Sequence, residues 1–287
     1  KGFELALSTK NFVGDFSWET DMNFSTNKNE VLSLNESNEP IFSSGSAGVR
    51  HVTRVGDPIG SYYGYVVDGI YQSQAEIDSA PTDTQAPNAA PGDFRFKDIN
   101  DDGEITPDDR TVTGSYFPDF TWGVNNRFRY KNVDFSFLIQ GVEGNEILNL
   151  TSRHMKNGEA NFNSYAIFNE RWRSVSEPGN GNIPRADRSS GNHGNNNRPS
   201  SFQVEDGSFI RLRNVTLGYS VPTKNLLGNS IDRLRFYITG TNLFTITDYL
   251  GYNPEVSNIS TNALTPGEDY GAYPLSRSFT MGVNLTF

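Results

Sequence analysis

Seven segments of this chain alternate apolar and polar side chains with period two, and the connections between them run short, long, short, long, short, long. In the last segment Phe279, Met281, Val283, Leu285 and Phe287 fall on one face of a strand, and Ser278, Thr280, Gly282, Asn284 and Thr286 on the other. One face is greasy, the other small and polar. A water-soluble sandwich buries the greasy face against a second sheet. A membrane barrel turns it to lipid and leaves the polar face lining a lumen.

The loop lengths discriminate between the two. The first strand sets Phe3, Leu5 and Leu7 against Glu4, Ala6 and Ser8, and a short turn at Gly14 leads to the second, with Phe16, Trp18, Thr20, Met22 and Phe24 on its greasy face. About ninety residues follow, far beyond an ordinary connection, so this excursion must be a structure in its own right. The third strand carries Phe120, Trp122, Val124, Phe128 and Tyr130. Only Lys131 and Asn132 separate it from the fourth, with Val133, Phe135, Phe137 and Ile139. The fifth spans about Phe209 to Tyr219, the sixth about Arg233 to Leu243, and the turn between them Pro222 to Asp232.

Outer-membrane barrels have short periplasmic turns and long extracellular loops. Their strict alternation here places 27–118, 142–206 and 244–275 outside the cell and the carboxyl end at the periplasmic rim. Bacterial single-chain barrels have an even number of strands, from eight upward, so seven strands read as the C-terminal portion of a larger all-β, antiparallel transmembrane barrel. An Arg facing the bilayer midplane costs ~2–4 kcal/mol, which turns Arg127 and Arg129 to the lumen or a rim. The fifth strand breaks the rule, because Phe209, Arg211 and Arg213 share parity with Val215, Leu217 and Tyr219. Either a bulge shifts the phase or the upper half rises above the bilayer; tall extracellular walls favour the second.

Mean hydropathy is −0.56 and no apolar run approaches the ~20 residues of a membrane helix, which excludes a helical membrane protein but not a barrel. Aromatic content of 13% suits a lipid face with aromatic girdles, though a secreted sandwich fits composition equally. The chain has no Cys, hence no disulfides, thiolate metal sites or Cys nucleophile. Of the net charge of −10, most sits in 27–118, with 15 acidic and six basic residues, which argues against nucleic acid as a partner.

Asp98, Asn100, Asp102, Glu104 and Asp109, with Gly103 at the sharp turn, follow the spacing of a calcium loop, with Asp in place of Glu at its last position. The flanks read as extended, so the expected cation, Ca²⁺ or similar, would be structural, pinning a loop; a solvated acidic turn is the alternative. His51, His154 and His193 lack zinc-site spacing, and no nucleophile elbow or dinucleotide turn follows a strand. No catalytic residue is assigned. Phe162 to Trp172 reads as a short helix within the second excursion.

These residues resemble the SusC/RagA family of TonB-dependent outer-membrane receptors. The resemblance runs through Gly2 to Leu5, Phe16 to Trp18, Pro58 to Tyr71, Pro91 to Gly103 with Asp109-Arg110, Glu170 to Trp172, Asp206 to Tyr219, Gly240 to Phe244, Tyr249 to Val256 and Tyr273 to Arg277. It implies a twenty-two-stranded barrel in the outer membrane of a Gram-negative bacterium. It also implies a plug, a SusD-like surface lipoprotein as lid, and TonB-powered import of oligosaccharides or oligopeptides. Phe287 resembles the residue by which such proteins engage the barrel-assembly machinery. Plug and TonB-contacting segments are absent from these residues, so energy coupling cannot be argued from them. The expectation is binding rather than catalysis, through contacts such as Trp172, Tyr249 and Tyr252; a passive barrel or adhesin platform is the alternative.

Overall fold

A computed structural model describes the whole chain except residues 157, 159–162, 188–195, 223–230 and 257–261. The seven period-two segments form one antiparallel sheet: β1 (Gly2–Phe12), β2 (Phe16–Asn27), β3 (Phe120–Tyr130), β4 (Val133–Glu143), β5 (Phe209–Val221), β6 (Arg233–Ile246) and β7 (Ser278–Thr286), in sequence order, with β1 and β7 at the edges. The turn between β5 and β6 lies largely outside the described residues.

Pairing keeps like faces together, as a half-apolar strand requires. Phe24 stands beside Trp122, Met22 beside Val124, and Trp18 beside Phe128. Phe128 meets Phe135, which meets Leu217, which meets Ile238, itself beside Met281. Stacked rings at 5.6 Å for Trp18–Phe128 and 5.5 Å for Phe24–Phe120 run along this face. Among the described residues no second sheet covers it. Phe279 and Met281 are 70% and 79% exposed, and the water-soluble sandwich is thereby set aside.

Asn126 falls on the apolar parity of β3. Its Oδ1 accepts from Trp18 Nε1 at 2.8 Å and Thr20 Oγ1 at 2.8 Å, so the amide oxygen is satisfied from the neighbouring strand, as a group facing hydrocarbon must be. The polar face carries Arg127 with Asp21 at 2.8 Å, and Arg235, whose Nε donates to Asp134 at 2.9 Å.

The parity conflict in β5 resolves as a bulge, correcting the preference for a tall regular wall. Leu138 pairs with Asn214 but Ile139 pairs with Leu212, leaving Arg213 without an opposite residue on β4. One extra residue flips the phase. Ile210 and Leu212 therefore join Val215, Leu217 and Tyr219 on the apolar side, while Arg211 turns to the polar side. β6 answers with its own irregularity at Asn242, whose φ is +54°.

The excursions fold into small sheets. One pairs Thr111–Gly114, Ser61–Gly64, Gly48–Thr53 and Ile41–Gly45; another joins Val204–Asp206, Glu146–Asn149 and Glu268–Asp269, one segment from near each end of the second excursion and one from the third. The buried cluster of Tyr65, Ile70, Phe94, Phe96 and Ile105 takes in Trp172 and Phe202; Tyr62 packs with Leu148 and Leu150; Ile147 packs with Tyr249 and Val256. Each cluster draws on two excursions, so the three loops are packed together through three buried clusters.

Candidate ligand-binding site

The cap over the long-loop end of the sheet is held by backbone and ionic ties between excursions. Tyr62 Oη donates to Glu146 O at 2.9 Å and Gly267 O at 3.2 Å. Leu150 N donates to Asp269 O at 2.9 Å, and Tyr65 N to Pro199 O at 2.8 Å. Arg185 grips Asp93 at 2.7 Å, and Lys156 reaches Glu205 at 2.7 Å. Gly64 sits where a Cβ would lie 2.5 Å from Pro199 O, so the first and second excursions touch backbone to backbone.

Of the three aromatics expected to meet ligand, two are packed within the cap. Trp172 packs closely against Gly92 and donates from Nε1 to Gln72 Oε1 at 3.2 Å, at the edge of a buried cluster. Tyr249 is buried, and its hydroxyl donates to Asp269; burial, then that carboxylate, pushes its pKa well above the usual phenol range. Tyr252 is 78% exposed and lines a cleft. The expected helix reduces to a 3₁₀ turn at Ala166–Glu170, and Phe162 and His193 lie outside the described residues.

In the acidic loop, Gly103 adopts φ +87° as the sharp turn requires. Asp98 Oδ2 accepts from Gly103 N at 2.8 Å, Asn100 Oδ1 from Asp102 N at 3.1 Å, and Asp102 Oδ1 from Glu104 N at 2.9 Å. Asp109 is fully buried and closes the loop by accepting from Ile99 N at 2.8 Å and Thr106 N at 2.7 Å. Glu104 begins a two-residue strand. Among the described residues no three His, Cys, Asp or Glu side chains converge as a metal cage. Asp98 Oδ1 is buried and has no hydrogen-bond partner among the described residues.

The residues that build the cavity wall lie where β5 and β6 rise into the cap. Tyr249 to Val256 passes over the polar face of β5 as a strap, with Glu255 and Asn253 taking hold of the fully buried Arg211. On one side of the strap is a cleft of about 390 Å³ lined by Tyr116, Thr121, Val142, Phe209 and Val256; on the other is one of about 250 Å³ lined by Arg211, Asn242, Phe244, Tyr252 and Arg277. Pro254 borders both. A third hollow, about 320 Å³ with Arg127, Arg129, Arg233 and Arg235, sits on the polar face near the short turns. Arg211 and Glu255 were absent from the residues expected at the site; the signal was the wrong parity of Arg211, which read as a strand anomaly rather than a buried charge.

No family model matches the chain. Over its whole length it is 36% identical to TonB-dependent receptor P3 and 35% identical to TonB-dependent receptor P26, both of Formosa agariphila, and 26% identical to TonB-dependent receptor SusC of Bacteroides thetaiotaomicron. The chain spans 28%, 29% and 26% of these relatives. The RagAB peptide importer superposes over the full chain with TM-score 0.76 in its open-open state and 0.72 in its closed-closed state, at 20% identity and 28–29% of that chain, a likeness of fold. The amphipathic seven-stranded wall, the alternation of turns and excursions and these likenesses together make the chain a C-terminal barrel portion of a SusC/RagA-like TonB-dependent receptor.

Proposed function

We propose that the receptor containing this chain imports oligosaccharides or oligopeptides across the outer membrane of a Gram-negative bacterium, driven through TonB and working with a SusD-like lipoprotein that closes over the fused cap. The observation that carries this reading is the cap itself: three excursions packed together through buried clusters, rising from an amphipathic wall and leaving clefts beside the strap over β5. The named likenesses to TonB-dependent receptors, to SusC and to a peptide importer support it. The chain's part is binding and passage; its relatives are transport receptors. Phe287, exposed beyond the last paired residue of β7, is the proposed contact for the barrel-assembly machinery.

Deleting the gene should abolish growth on one glycan or peptide source, with complementation restoring it. Unchanged uptake of every such substrate would end the proposal.

A structural calcium in the 98–109 loop belongs to the same reading, held by Asp98, Asn100, Asp102 and Glu104 with Asp109 as the loop's closure. Calcium should slow proteolysis of this loop in the purified receptor, and Asp98→Ala should remove that protection. Asp109→Asn should loosen the loop with or without calcium, because its oxygens already serve Ile99 and Thr106. Identical cleavage of the wild type in calcium and in chelator would exclude the cation.

A further inference from the structure

The wall around the smaller cleft holds more positive charge than it neutralises. Arg211 and Arg213 share one carboxylate, Glu255, with Arg213 Nη1 at 3.3 Å. Arg211 is 1% exposed, fixed by Thr245 Oγ1 at 2.8 Å, Asn253 Oδ1 at 3.0 Å and the Phe209 ring 4.8 Å below it. Gln140 donates to the same Glu255 at 3.1 Å, a further claim on that one carboxylate. Across the cleft Arg277 is exposed and has no ion-pair partner among the described residues. A buried guanidinium that shares its counterion leaves a field an anion can answer.

Asn242, in the wall of this space, ties β6 to the segment carrying Arg277 by donating from Nδ2 to Ser276 O at 3.2 Å. Tyr252 offers an exposed ring, with Phe244 beside the same cleft. At about 250 Å³ the space lies below the roughly 300–1,000 Å³ of drug-sized pockets, so it admits one ring of a longer ligand.

The geometry points to a subsite for an acidic sugar residue, with Arg277 binding the carboxylate or sulfate, Arg211 supplying fixed positive field and Tyr252 stacking on the ring. This inference rests on the import reading and names its substrate class as acidic oligosaccharide. A sugar is favoured over an acidic peptide because one rigid ring presents an oxyanion and a stacking face together, and the cleft supplies a partner for each.

The test is calorimetry on the full-length receptor with its lid, using a trigalacturonate, a sulfated oligosaccharide of similar length, a neutral trisaccharide and a glutamate-rich peptide. At least one acidic oligosaccharide should bind, and Arg277→Gln should weaken it about tenfold or more, the loss of one charge-assisted contact. Arg277→Lys should recover part of the affinity, and added salt should weaken the wild type more than the Arg277→Gln variant. Arg277 is exposed, so heat-modifiable mobility on gels should show the variant folded. Acidic sugars bound no better than neutral ones, preference for the peptide, or unchanged affinity in Arg277→Gln would each overturn the subsite. Whole-cell uptake separates the two readings: import of a neutral glycan or a peptide that ignores Arg277 removes the subsite and keeps import, whereas Arg277-dependent binding without any uptake removes import and keeps the subsite.

Discussion

His51 is fully buried between the first and third excursions, its Nε2 donating to Pro266 O at 3.1 Å and its Nδ1 facing Glu268 Oε1 at 3.6 Å. Burial, opposed by Glu268 and reinforced by the neighbouring Arg50, holds its pKa below the ordinary 6.5. The folded cap therefore binds fewer protons here than the unfolded chain does between the two values. Its stability is fully present above about pH 6.5 and falls as pH drops through the folded value. Amide exchange of Gly48–Thr53 should accelerate on moving from about pH 8 to about pH 5, after correction for intrinsic rates, and His51→Gln should flatten that response. Equal acid sensitivity in the variant would assign the effect elsewhere. At this scale the sequence says little. Trp172, Tyr249 and Tyr252 are equivalent as letters, yet the first packs on Gly92, the second bonds Asp269 and the third lines a cleft. What sorts them is packing between segments far apart in the chain, which local spacing does not encode.

Strands were the most legible elements, because period-two alternation and a buried or lipid-facing side state the same constraint twice. All seven were readable, and so was their facing: Val124 pairs with Met22 and Ile139 on the apolar side, and Asn125 with Asp21 and Leu138 across the polar parity. Val124→Arg should impair membrane assembly far more than Asn125→Arg, since only the former carries a charge into hydrocarbon at ~2–4 kcal/mol. Equal yields of folded barrel would refute the facing. The bulge was legible as a conflict but not as a solution. Because Arg213 is the extra residue between the two phases of β5, inserting a second residue beside it should turn Arg211 outward and Leu212 inward, and take Arg211 away from Glu255. Folded yield should collapse, whereas deleting Arg213, which leaves Leu212, Asn214 and Val215 in unbroken alternation, should assemble. An insertion variant that assembles normally would contradict the phase argument.

For the molecule as a whole, loop lengths alone gave the topology, while the joint architecture of the excursions was hidden. Their pieces are short: Glu268–Asp269 is two residues long and pairs in parallel with Leu148–Asn149 from more than a hundred positions away. Such contacts carry no periodic signature. Receptors of this kind should therefore exchange ligand preference as a set. Grafting all three excursions from a relative onto this wall should give surface-exposed, folded protein, and grafting any one alone should not, as surface labelling of the chimeras would show. The buried clusters that join them make the three excursions a single cassette: a change in one is answerable to the other two, and the crown is altered as a whole rather than point by point.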